Sequence, residues 1–116
     1  MDIESLREYC LRKKGVNEEF PFGDAVLVFK VKGKIFLLTR LEQSSLQFNV
    51  KCDPDVAVEL REQYDAIQPG YHMNKKHWNT VLVDGRVTEK MLKQMIDESY
   101  ELVVKSLLGK DRKSLL

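Results

Sequence analysis

Hydrophobic positions recur with a helical period at the start of the chain. Ile3, Leu6 and Cys10 fall at i, i+3 and i+7 with Tyr9 beside them, which predicts a helix over 3–14. Asp2 suits its N-cap, Lys13 and Lys14 suit the negative end of the helix dipole, and Gly15 ends it. Residues 17–24 read as a connection pinned to the core by Phe20 and Phe22. The period then drops to two. Ala25–Lys32 and Lys34–Arg40 are rich in β-branched and aromatic residues, with Gly33 supplying positive φ in the turn between them. After a turn at Glu42-Gln43-Ser44, Leu46, Phe48 and Val50 alternate with Gln47, Asn49 and Lys51, the pattern of a strand with one buried face.

Asp53-Pro54 pairs an N-cap with proline at the first helical position, and Ala57, Leu60 and Tyr64 carry that helix's apolar stripe. Ala66–Gln68 reads as a short strand before the Pro69-Gly70 turn, residues 71–77 as a polar loop, and Trp78–Val83 as a further strand closed by Asp84-Gly85. Thr88 caps a long last helix, whose stripe is Leu92, Met95, Ile96, Ser99, Tyr100, Val103 and Leu107. Gly109 reads as its C-cap residue. The predicted order is α-β-β-β-α-β-(β)-α. Short turns between strands imply antiparallel pairing, so the fold class is α+β, a single antiparallel sheet with helices packed on one face. Residues 1–109 form one domain, and 110–116 form a frayed polar C-terminal tail.

Composition adds bounds. The chain has 116 residues, 43% hydrophobic and 32% charged, a mix too apolar for a disordered chain. Apolar runs such as Val26–Phe29 and Ile35–Leu38 fall far short of the ~20 residues that span a bilayer, so no membrane partner is expected. The start Met1-Asp2-Ile3-Glu4 is acidic where a secretory signal would be basic, so the expected location is cytoplasmic. Cys10 and Cys52 form no C-x-x-C pair and read as reduced thiols, at least one of them buried.

A net charge of +1 excludes a strongly basic coat protein, but the charge is uneven. Between residues 30 and 51, Lys30, Lys32, Lys34, Arg40 and Lys51 stand against Glu42 alone. Between 70 and 93, Lys75, Lys76, Arg86, Lys90 and Lys93 stand against Asp84 and Glu89. Helix 53–65 carries five acids and Arg61. One reading is a basic sheet-and-loop surface opposite an acidic helix; the other is an ordinary mixed surface that keeps the chain soluble.

The segment Pro69–Trp78 concentrates both histidines (His72, His77), Lys75, Lys76, Tyr71 and the chain's one tryptophan. Lysines supply point charge, His and Asn supply hydrogen bonds, and aromatic faces can stack a base. Trp78 opens a strand and reads as core. His72 fits either a binding role or hydrogen bonds that tie the loop down. Lys75 and Lys76 resist burial and read as surface groups.

Catalytic and metal signatures are weak. His72 and His77, five apart, match no helical ligand pair, and Cys52 has no second cysteine or carboxylate at ligand spacing, so no metal or cofactor is expected. Cys52 with a histidine base lacks a local nucleophile signature. No phosphate-binding glycine loop and no G-x-S-x-G elbow occurs. The expectation is a protein that is not an enzyme, with no catalytic residues.

Lys51-Cys52-Asp53-Pro54, the run Pro69–Val81 and the run Asp97–Val103 resemble the MmcQ/YjbR family. The resemblance extends to Arg12-Lys13-Lys14-Gly15 and Phe20-Pro21-Phe22-Gly23, and so spans nearly the whole chain. It implies a small bacterial α+β domain of CyaY-like or double-wing type, similar in topology to secretion chaperones, and it brings the label DNA-binding by fold analogy.

The expected function is non-enzymatic DNA binding through phosphate. The open sheet face and hairpin tips would supply Lys30, Lys32, Lys34, Arg40 and Lys51, and the 71–78 loop His72, Lys75, Lys76 and His77. The alternative is a protein- or ligand-binding adaptor of secretion-chaperone type, docking on the acidic helix. A third possibility is a small enzyme built on Cys52 and His72. No oligomeric state is implied.

Overall fold

Lys32 and Gly33 both adopt positive φ, 50° and 83°. Two left-handed residues in succession make the tight turn whose twist matches paired strands. In the computed structural model, which describes residues 1–116, this turn joins β2 (Val26–Val31) to β3 (Lys34–Arg40). The other elements are α1 (Ile3–Leu11), β1 (Val16–Glu19), β4 (Gln47–Lys51), α2 (Pro54–Gln63), β5 (Ile67–Pro69), β6 (Trp78–Leu82), α3 (Glu89–Lys105) and α4 (Gly109–Lys113). The six strands form one sheet in the order β1-β2-β3-β4-β6-β5. Every neighbouring pair is antiparallel. The fold is therefore α+β with a single open antiparallel sheet, as the pattern predicts.

The core lies between one face of the sheet and the helices. Leu6 and Cys10 of α1, Ala57 and Leu60 of α2, and Leu92, Met95, Ile96 and Val103 of α3 join Leu27, Phe29, Leu37, Phe48, Val50, Ile67 and Val81 in one buried cluster. The three predicted helices start as expected. Asp2 closes a capping box with Ser5, Asp53 accepts from the N–H groups of Asp55 and Val56, and Thr88 accepts from Met91 N–H.

Ser99 is the exception on the α3 stripe. It is fully buried, and its hydroxyl accepts from Lys51 N–H (2.8 Å) and donates to the Phe36 carbonyl (2.5 Å). The reason lies in the sheet. The β2–β3 register shifts between Phe29 and Lys30, leaving Phe36 as an extra residue, and β3 pairs β4 only at Leu37↔Val50 and Leu38↔Asn49. Where the ladder stops, the helix supplies the missing partner for both strands.

Five expectations are corrected. The first helix ends at Leu11 with Arg12 as its C-cap, short of residue 14, so Lys13 and Lys14 lie beyond its last turn. The segment 17–24 is not all connection, because Val16–Glu19 pairs with β2 as an edge strand. Its Val-Asn-Glu-Glu composition hides the strand; the carboxylates are held by Arg7 of α1 and Lys30 of β2, and charge on an edge discourages further pairing. Phe20 and Phe22 do not pin the loop, being 48% and 64% exposed beyond the end of β1. Gly109 is not the C-cap of α3, whose cap is Ser106; it opens α4. The tail 110–116 is not frayed. Leu115 packs on the core and its Cδ2 occupies the space that a side chain at Gly15 would need, while Arg112 Nη2 donates to the Leu107 carbonyl.

Candidate nucleic-acid interface

Antiparallel pairing brings the C-terminal ends of β2, β4 and β5 to the same edge as the N-terminal ends of β3 and β6. That end of the sheet carries the Lys32-Gly33-Lys34 turn, Lys51 and the 70–77 loop. The two basic stretches of the sequence meet there, about 10–15 Å apart at roughly 4.8 Å per strand.

The loop is built by its own backbone. Gly70 N–H donates to the Trp78 carbonyl (2.8 Å), Met73 N–H to Gly70, and His77 and Trp78 N–H groups to the Asn74 carbonyl. Gly70 is required by proximity: a Cβ there would stand 2.9 Å from the Trp78 carbonyl oxygen and 2.8 Å from its Cβ. Tyr71 N–H donates to Thr80 Oγ1 (2.9 Å), which donates to Asn49 Oδ1 (2.5 Å), so the loop is tied across β6 to β4. His72 adopts φ 58° and sets its ring 4.1 Å from that of Tyr71.

Arg61, which the sequence presents as the lone cation of an acidic helix, is the brace of this loop. Its Nε donates to Asn79 Oδ1 (2.7 Å), and its Nη2 donates to the carbonyls of Trp78 (3.0 Å) and Lys75. Asn79 is 1% exposed, and its Nδ2 has no partner. No pattern in the sequence links residue 61 to residues 75–79; the contact exists because α2 packs beside β5.

The cations differ in their surroundings. Lys30 is half-buried and paired with Glu19 at 3.3 Å. Lys32 and Lys34 are exposed at the turn, and Lys34 Nζ donates to the Ser106 carbonyl on the helical side. Lys51 is half-buried opposite Trp78. Lys75 and Lys76 are exposed, with Lys75 Nζ 3.4 Å from the Gly70 carbonyl. Arg40 is exposed at the opposite end of β3, away from this cluster. The ion pairs of the molecule leave Lys32, Lys34, Arg40, Lys51, Lys75 and Lys76 without a carboxylate partner. Arg86 and Lys93 are paired with Asp84 and Glu89. The acids Asp55, Glu59 and Glu62 are exposed on α2, on the helical side of the sheet.

Three other residues are placed differently from expectation or between its alternatives. Trp78 does not join the core; it is half-buried on the face without helices, because its register sets it opposite Lys51. His72 makes no hydrogen bond that ties the loop down, is exposed, and sets its ring against that of Tyr71 at an interplanar angle of 50°. His77 is half-buried, and its carbonyl accepts from Cys52 N–H at 2.7 Å. Cys52 and His77 thus meet through main chain. Both cysteines are free and buried, and burial pushes the thiol of Cys10 up to about 12 and that of Cys52 up to about 11. Neither supplies thiolate near neutral pH. No group of three or more His, Cys, Asp and Glu side chains is placed to hold a metal ion. No helix is long and apolar enough to cross a membrane.

Comparison with known proteins supports the same fold. The chain is 38% identical to the uncharacterized protein YbdF of Escherichia coli O157:H7, over 97% of this chain and 96% of that one. It is 29% identical to the uncharacterized protein YjbR of Escherichia coli K12, over 100% and 98%. Among solved structures it is similar to Deinococcus radiodurans protein DR2400, a DUF419 domain. The TM-score is 0.93 at 40% identity, covering 98% of this chain and 87% of that one. A Pseudomonas syringae crystal structure matches with TM-score 0.76 at 25% identity, over 88% and 98%. The YjbR family model matches residues 11–102, from the end of the first helix through most of the last long one, and the chain belongs to the YjbR family.

Proposed function

We propose that this protein is a non-enzymatic DNA-binding domain that holds phosphates along the basic end of its sheet. The supporting observation is the convergence at that end of Lys32, Lys34, Lys51, Lys75 and Lys76, none of them paired with a carboxylate. Such groups bind phosphate oxygens and release counterions, so affinity falls steeply with salt. Lys30 contributes less because Glu19 neutralises it, and Arg40 acts on its own at the far end of β3. His72 and His77 add donors from the loop.

Fluorescence anisotropy with labelled DNA at about 50 mM salt tests the proposal. Binding tighter than ~10⁻⁴ M that weakens with salt is expected. The double variant Lys75→Ala/Lys76→Ala reduces the slope of log affinity against log salt by about two. Absence of binding at that threshold overturns the proposal.

A second reading, a protein-binding adaptor, draws on the groove between α2 and α3, lined by Asp53, Val56, Glu98, Glu101 and Leu102. Charge reversal at the neighbouring α2 acids Glu59 and Glu62 tests it. Partner recovery that survives the reversal counts against docking on α2.

A further inference from the structure

The face of the sheet turned away from the helices is itself built like a stacking platform. By register it carries Arg40 and Leu38 of β3, Gln47, Asn49 and Lys51 of β4, and Trp78 and Thr80 of β6; Leu38, Asn49 and Thr80 are buried in its floor, while Arg40 is exposed and Gln47, Lys51 and Trp78 are half-buried. No helix packs on it, since the buried parts of α1, α2 and α3 all share the core on the other face. Tyr71 leans back over this face from the edge strand, and lines a shallow depression with Leu38, Arg40, Gln47 and Asn49. Tyr71 is 59% exposed, and its ring sits against the imidazole of His72, also an exposed residue. The N–H of Tyr71 is held by Thr80, which is held by Asn49, so the ring is mounted on the sheet and not on a free loop. Cations without carboxylate partners flank it: Arg40 toward one end of the strands, Lys51 and the loop lysines toward the other.

The shape of this face decides between forms of nucleic acid. The B-DNA major groove is about 12 Å wide and admits a helix or a two-stranded ribbon. The face runs across β2, β3, β4 and β6, roughly 14–19 Å at about 4.8 Å per strand, and is too broad to enter. A duplex also keeps its base faces stacked inside, beyond reach of Tyr71. A single strand offers those faces to Tyr71, and its phosphates can reach the cations on either side. Resting on the proposed DNA-binding reading, we infer that the open sheet face selects single-stranded nucleic acid, stacking a base on the Tyr71–His72 pair between Arg40 and Lys51.

The test compares fluorescein-labelled 15-mers of oligo(dT), oligo(U) and mixed-sequence duplex DNA at about 50 mM salt, with an oligo(dT) carrying central abasic sites as a fourth probe. At least one single strand is expected to bind tenfold or more tighter than duplex. Tyr71→Ala weakens single-strand binding roughly 5- to 150-fold, the range for loss of one stacked base, and leaves duplex binding within about twofold. Tyr71→Phe retains the wild-type preference, and the abasic strand binds like oligo(dT) to the Ala variant. Tyr71 is exposed and its main-chain bond to Thr80 survives the substitution, so the variant keeps its fold; circular dichroism verifies this. Duplex bound most tightly, or a Tyr71→Ala effect equal on every probe, overturns this inference and leaves phosphate binding standing. No binding to any probe overturns the proposed function itself, and the inference with it.

Discussion

Replacing Ser99 by alanine removes one oxygen and orphans two backbone groups. Lys51 N–H and the Phe36 carbonyl lie where the β3–β4 ladder ends, and each has Ser99 Oγ as its partner. Ser99 is fully buried beneath α3, so water has no ready route to replace it. A buried polar group left unpaired costs about 1–3 kcal/mol. Lys51 N–H is only partly buried and falls at the lower end, so the pair is worth roughly 2–4 kcal/mol. That is a large share of the ~5–15 kcal/mol that holds a domain of this size together. At about 4 °C per kcal/mol, Ser99→Ala lowers Tm by roughly 8–16 °C. Thermal and urea denaturation followed by circular dichroism measure the loss. Amide hydrogen exchange at Lys51 locates it. Ser106→Ala is the control: that hydroxyl donates to Val103 at an exposed helix end, and its loss costs under about 0.5 kcal/mol. If Ser99→Ala is as mild as the control, or if the Lys51 amide keeps its protection, the hydroxyl is not bridging the strands.

Arg61→Met keeps the aliphatic stem but removes the donors to Lys75, Trp78 and Asn79, and should cost about 2–3 kcal/mol while raising exchange at amides 70–78; unchanged loop exchange would show that the loop stands without its brace. The Arg7 guanidinium, by hydrogen bond first and by charge second, holds the Glu18 carboxyl below its ordinary 4.5. The folded form therefore binds that proton more weakly than the unfolded chain. Stability from this pair is present above about pH 4.5 and is lost as pH falls through the folded value. The urea midpoint of the wild type should lead that of Glu18→Gln near pH 6, with the lead shrinking toward pH 3; a constant lead refutes the linkage. Cys10 and Cys52, with thiols pushed up to about 12 and about 11, should react slowly with Ellman's reagent near pH 8 in the folded protein and at once in denaturant. Rapid reaction of either thiol in the native state would place it at the surface.

The candidate interface was legible in the sequence by composition and only partly by geometry. Crowding of His, Lys and aromatic residues between Pro69 and Trp78 marks the loop, and Lys32-Gly33-Lys34 marks the turn. Nothing in either stretch says that they share one end of the sheet. That follows from the chain leaving β4, crossing through α2 and returning as β5 and β6 beside β4. Arg61 could not be singled out, because its three acceptors are 14 to 18 residues away and two of them are main-chain carbonyls. Trp78 was misplaced for the same kind of reason: aromatic character favours burial, but register sets which face of the sheet a strand residue joins.

Local chemistry determined the elements whose signals are strong over a few residues: the Asp53-Pro54 helix start, the Thr88 cap and long stripe of α3, the Lys32-Gly33 turn and the alternation of β4. It also determined the fold class, since short turns between strands leave antiparallel pairing as the available solution. Tertiary structure alone decided what depends on a partner distant in sequence. Val16–Glu19 is a strand because β2 offers it an edge, α4 is ordered because Leu115 finds Gly15, and Ser99 is buried because a bulge at Phe36 leaves two backbone groups for it to satisfy. Periodicity reports how a segment meets its own surroundings on average. Which lysines gather at one end of the sheet, and which carboxylates reach them, is set by strand order and register.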